Sequence, residues 1–135
     1  GVSTKPEPSV TGAALFVKSL LEPDWDDKSS GSLAFLRQFE PAWGGEQYGM
    51  YFYFAAFYLA QGRFQIGGDD WRDYADPMAR VLIEHQAGDG RWPFPPDNTP
   101  QSRLAGPAYP TAMAVLILSL DRQYLPMYQR QRRLF

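Results

Sequence analysis

The sequence predicts an all-α fold built of antiparallel helix hairpins, and three observations predict it. Apolar residues recur at three- and four-residue steps in five successive blocks. Proline or glycine punctuates the joins between the blocks. No stretch reads as a strand. Residues 1–8 are polar and Pro-rich and read as linker. "SVTGAALFVKSLL" then supplies the first helix, which Pro23 ends. Asp26, Asp27 or Ser30 caps a second short helix through Phe39, and Pro41 stops it. After Gly44 and Gly45, Glu46 opens the longest apolar segment, through Gln65. There Tyr48, Tyr51, Phe52, Ala55, Tyr58 and Leu59 share one face, and Phe54 and Phe57 cover another. A helix apolar nearly all round is buried on several sides. Gly67 offers a left-handed C-terminal cap, and Asp69 caps the next helix, about Asp70 to His85. That helix carries Trp71, Tyr74, Met78, Val81, Leu82 and His85 on one stripe, and Pro77 inside it predicts a kink or a late start. A Pro-rich loop, 93–107, leads to the last apolar helix, "AYPTAMAVLILSL". The tail mixes Arg130, Arg132 and Arg133 with Leu134 and Phe135, a solvated end or a contact for an acidic partner or membrane surface.

Bulk properties narrow the function. The 135 residues make one modest domain, 44% hydrophobic and 16% aromatic, enough to bury a core. A formal net charge of -2 with no basic face argues against nucleic-acid binding. The absence of cysteine excludes disulfides, thiolate zinc sites and cysteine nucleophiles. The longest apolar stretch, Tyr48 to Ala60, is too short for a transmembrane segment. The opening "GVSTKPEPSV" is no signal peptide and reads as the continuation of an earlier segment.

"HQAGDGRWPFP" is the most distinctive stretch. Gln86 ends a helix, Asp89-Gly90 makes a tight turn with the glycine free to take positive φ, and Trp92 can fold back. A glutamine amide both donates and accepts, so Gln86 can bridge backbone groups at the end of a neighbouring helix while Trp92 stacks over it. "ARVLIEHQAGDGRW" resembles the QW motif of the prenyltransferase and squalene-oxidase repeat family, with Gln86, Gly90 and Trp92 in place. "YGMYFYFAAFYLAQGRFQIGGDDW" and "AGPAYPTAMAVLILSL" are similar to the paired helices of squalene-cyclase-like proteins, and "QYLPMYQR" resembles the end of uncharacterised bacterial members. The likeness covers roughly residues 44 to 130. It implies an α/α toroid, with inner and outer helices alternating around a cavity. Residues 9–135 then form a partial toroid repeat domain, the C-terminal part of a longer protein. So few helices cannot close a toroid, so the open apolar edge needs the rest of the chain, a second subunit or an apolar ligand such as an isoprenoid.

The family's chemistries test differently against these residues. Class II terpenoid cyclases protonate an alkene with a D-x-D-D motif, and Asp24, Asp26 and Asp27 in "DWDD" match it. That chemistry needs a carboxylic acid kept protonated in a dry pocket. Here Lys28-Ser29-Ser30-Gly31 follow instead of the family's Thr-Ala and apolar helix, so the segment also reads as a solvated helix cap. Tyr48, Tyr51, Phe52 and Tyr58 could line an apolar site and stabilise a carbocation, or simply pack a core. Protein prenylation needs zinc held by Asp, Cys and His, and the one histidine, His85, lacks a cysteine partner. "GGEQYGM" resembles the thioester motif of complement-like domains, but Gly44 stands in the cysteine's place. A calcium loop beginning at Asp24 and Asp26 fails at Lys28 and Phe35. The sequence therefore reads as a non-catalytic squalene-cyclase-like repeat domain serving as scaffold, apolar-ligand site or protein-interaction module, with no cofactor. Its alternative is the C-terminal portion of a squalene-hopene-like cyclase.

Overall fold

The chain is all-α. A computed structural model describes residues 5–21, 26–48, 51–96 and 104–122. Five α-helices lie among them: α1 (Pro8–Leu21), α2 (Asp27–Leu36), α3 (Phe52–Ile66), α4 (Gly68–Glu84) and α5 (Ala108–Leu118). Short 3-10 turns cover Glu46–Tyr48 and Leu120–Arg122.

Several boundaries differ from those the sequence predicts. α1 starts at Pro8, inside the expected linker, where proline's fixed φ suits a first helical residue and its missing N–H costs nothing. α2 stops at Leu36, and the bonds from Gln38 N to Phe35 O and Phe39 N to Leu36 O tighten the exit into a turn. The long apolar segment is not one helix. Glu46–Tyr48 forms its own turn and α3 begins at Phe52, so Tyr48 and Tyr51 lie outside the helix that carries Phe52 and Tyr58. At the other end Gly67, with φ 77°, is both the last cap of α3 and the first cap of α4. Asp69 is therefore not the cap; it lies in the first turn and pairs with Arg72. α4 starts early rather than late and is continuous past Pro77.

α3 is the central element. Its sides are assigned by contacts. Gly12 of α1 lies against Tyr58, Leu59 and Gly62, so α1 runs along one side. Tyr74 OH of α4 donates to Ala56 O at 3.0 Å, and Phe64 meets Trp71 edge-to-face, so α4 covers a second side. Tyr53 reaches Tyr109 of α5, and α5 packs beside α4. Phe52, Tyr53, Ala56, Ala60 and Phe64 are thereby buried with Trp71, Tyr74, Met78 and Leu82. Edge-to-face ring pairs dominate this core, the geometry the aromatic quadrupole favours.

Arg63 is the charged member of that core, only 5% exposed. Its Nε donates to Asp70 O at 3.0 Å, and its Nη1 donates to Leu36 O, a carbonyl at the end of α2. The guanidinium also sits over the Tyr74 ring, 5.7 Å from its centre. Burial pushes its pKa down, opposed chiefly by Asp70. Asp70 in turn accepts a two-pronged bond from Arg37 at 2.6 and 2.8 Å. One arginine thus ties α2, α3 and α4 together.

Among the described residues, apolar side chains stand exposed at both edges of the helix array. α1 exposes Val10, Val17 and Leu21, at 61%, 50% and 76%. At the far edge, α4 exposes Ile83 and α5 exposes Val115 and Leu118.

Candidate functional site

Asp24 lies outside the described residues. Asp26 is the N-cap of α2: its Oδ1 accepts from the Ser29 backbone N–H and from the Ser29 hydroxyl, each at 2.8 Å. Lys18 of α1 pairs with its other oxygen at 3.3 Å. These bonds, the Ser29 backbone N–H foremost, hold the carboxyl down to about 2. An alkene-protonating acid needs the opposite, a dry pocket and a raised pKa. Asp27 sits in the exposed first turn of α2.

The aromatic quartet does not converge on a cavity. Tyr48 is buried in its 3-10 turn, where its hydroxyl accepts from Ala42 N at 3.0 Å and its ring meets Phe52 edge-on at 4.8 Å. Tyr51 precedes α3 and is 44% exposed. Tyr58 is half-buried and touches Phe54 and Phe57. Tyr48 and Phe52 are core packing. Tyr51 precedes the helix, and Tyr58, six residues after Phe52 at about 100° per residue, lies on another side of α3.

The loop after α4 is a built device, though not the one first expected. Gly90 takes φ 88° and its N–H donates to Ala87 O at 2.9 Å, closing a tight turn. Asp89 accepts from Arg91 N at 3.1 Å and pairs with the Arg91 guanidinium. Trp92 folds back, 7% exposed, and its indole N–H donates to Leu82 O at 2.7 Å, capping a terminal carbonyl of α4. Its backbone N–H donates to Thr111 Oγ1 of α5 at 3.1 Å. Trp92 therefore fastens α4 to α5. Gln86 does not reach a neighbouring helix. It is exposed, and its Nε2 donates to Gly90 O at 2.8 Å within the same loop. His85 caps the same helix end, with Nδ1 2.8 Å from Val81 O and its ring stacked on Trp43 at 4.3 Å. Ala87, Arg91, Trp92, Phe94, Gly106 and Pro110 line a groove of about 490 Å³ at this junction.

One feature was not singled out from the sequence. Gln61, in the middle of α3, is fully buried. Neither its Oε1 nor its Nε2 has a hydrogen-bond partner among the described residues, and the same holds for Gln65 Nε2 one turn on. A buried unsatisfied polar group costs about 1–3 kcal/mol, so such atoms are rare in a packed core. The signal was legible: Gln61, Arg63 and Gln65 are the polar residues of the otherwise apolar run "FYFAAFYLAQGRFQI". Arg63 finds its partners, whereas Gln61 Oε1 and Nε2 and Gln65 Nε2 find none among the described residues. With a step of about 100° per residue, Phe54, Phe57, Tyr58, Gln61 and Gln65 share a stripe of α3. It faces between the side that α1 covers and the side that α4 and α5 cover.

Among the described residues no cluster of three histidine, cysteine, aspartate or glutamate side chains could hold a metal ion, and no helix is long and apolar enough to cross a membrane. In comparison with known proteins, the chain matches no family model, no curated protein and no solved structure.

Proposed function

We propose that the chain is a non-catalytic helical repeat module, of squalene-cyclase-like toroid type, that works as a scaffold by packing its edge helices against a neighbour. The observation that carries this reading is the uncovered face of α1. Val10, Ala14, Val17 and Leu21 recur at three- and four-residue steps and lie in solvent. Such a stripe is the seam of a helix pair. The chemistry at Asp26 supports the same reading against a cyclase, because its carboxyl is ionised and bonded as a cap.

For the isolated chain the neighbour is a second copy in antiparallel register. Exposed Glu7 precedes α1, and Lys18, which also pairs with Asp26, lies near its C-terminal end. Antiparallel pairing sets each Lys18 toward the Glu7 end of the other copy, whereas parallel pairing sets like charges side by side. A single helix face is small beside the ~800 Å² per partner of a stable interface, so the pairing depends on concentration. Sedimentation across a wide concentration range tests it. The wild type shifts from monomer toward dimer, and Val17→Glu stays monomeric with unchanged helicity. A wild type that is monomeric at every concentration defeats the proposal.

A further inference from the structure

We infer that the outer face of α5, together with the arginine-rich residues that follow it, docks the chain on an anionic lipid surface. This does not rest on pairing through α1, which uses the other edge of the helix array. Charge is divided unevenly along the sequence. Residues 104–135 carry four arginines, Arg122, Arg130, Arg132 and Arg133, against one acid, Asp121. Residues 1–103 carry nine lysines and arginines against fourteen acids. Such asymmetry suits an anionic partner for the basic part. Arg130, Arg132 and Arg133 lie outside the described residues, and their charge is a property of the sequence. Arg122 is exposed and stands four residues past the end of α5. Arg133 follows it by eleven residues, no more than about 40 Å even in a fully extended chain, so the arginines stay within reach of the surface that α5 faces. The helix supplies the apolar half. From Leu104 to Leu120 there is no charged residue. Ala108, Ala112, Val115 and Leu118, at steps of four, three and three, form its exposed side, with Val115 at 48%, and Leu104 just before the helix is 85% exposed. These exposed side chains offer no hydrogen-bonding group. The hydroxyls of Thr111 and Ser119 are bonded within the protein, to Trp92 N and Val115 O. A protein partner reads an interface through roughly one hydrogen bond per 100–200 Å², and nucleic acid presents phosphates, so a helix face without a polar group serves neither. A bilayer asks for none: apolar side chains enter the boundary between headgroups and acyl chains while arginines meet the anionic headgroups.

The test is co-sedimentation with vesicles of phosphatidylcholine alone and of phosphatidylcholine mixed with phosphatidylglycerol. The wild type binds the mixed vesicles and not the neutral ones, and added salt weakens binding by screening the headgroup attraction. Arg130→Gln, Arg132→Gln and Arg133→Gln together weaken it by about tenfold or more. Leu104→Gln with Val115→Gln also weakens it, with no change of charge, because apolar area is lost. Both side chains are exposed, so helicity by circular dichroism stays that of the wild type; Leu104→Gln, outside α5, carries the comparison alone should the pair lose helix. Val17→Glu still binds the mixed vesicles, so failure of pairing through α1 and failure of lipid binding are read apart. A wild type that binds neither vesicle, or both equally, overturns the inference. So does an arginine variant that binds fully, or a Val17→Glu protein that binds none, which would place the lipid face on α1. Lost binding in the arginine variant with full binding by the glutamine pair at 104 and 115 assigns the arginines to a soluble acidic partner and overturns it too.

Discussion

Gly12→Ala tests the tightest contact in the fold. Where α1 crosses α3, a Cβ on Gly12 would stand 2.6 Å from Tyr58 O, 2.9 Å from Tyr58 C and 3.0 Å from Leu59 N. The contact is reciprocal, since a Cβ on Gly62 would stand 2.9 Å from Gly12 O. All of these neighbours are backbone atoms of helices, so no side chain can rotate away. Relief requires α1 to move off α3 as a body, along the most extensive helix–helix contact among the described residues. Forced overpacking of this kind costs about 1–3 kcal/mol. Against it, alanine gains about 1 kcal/mol over glycine in a helix interior. The balance is a net loss of about 1 kcal/mol, up to ~2 if α1 cannot slide. Gly31→Ala in α2 is the control, because nothing lies within 4 Å of its added Cβ. There only the propensity gain acts, and stability rises by about 0.5–1 kcal/mol. The same chemical change thus has opposite signs at the two positions. Urea unfolding followed by far-ultraviolet circular dichroism reads both as shifts in midpoint at constant slope. Gly12→Ala and Gly62→Ala combined should lose less than the sum, since one displacement of α1 relieves both. A Gly12→Ala protein as stable as the wild type refutes the reasoning.

Other expectations concern caps and the Trp92 lock. Trp92→Ala loses about 3–5 kcal/mol, and Trp92→Phe, which keeps a ring but drops the bond to Leu82 O, loses less. Gln86→Ala and Asp89→Ala change thermal stability little, because both side chains are exposed and bond only within the loop; large losses there would contradict a lock made by Trp92. Asp26 gives a pH dependence. Its carboxyl is lowered from 3.8 to about 2, so its contribution is full above about pH 4 and is lost as pH falls through that interval. Acid titration of the melting temperature should show this loss in the wild type and not in Asp26→Asn, which caps without titrating.

Much of the helical layout was legible because it rests on local rules. Prolines and glycines set most joins, the apolar steps marked the segments, and Asp26 was among the three cap candidates. Legibility failed where apolarity is continuous. From Tyr48 to Ala60 every reading frame is apolar except at Gly49, so no period showed that helix begins only at Phe52. The Gln86 and Trp92 spacing was visible, but not which of them joins α4 to α5. That depends on where Thr111 and Leu82 O stand in space.

The sequence by itself determined an all-α chain, its five helices and the turn that Gly90 permits, because these follow from side-chain period and backbone freedom. Only the tertiary structure decided which glycines are contacts rather than breaks, which arginine is buried and satisfied, and which glutamine is buried and not. Those outcomes depend on distances between segments far apart in the chain: the apolar run around Gln61 and Arg63 marks both as buried but not which of them finds partners, and Gly12 carries no local mark at all.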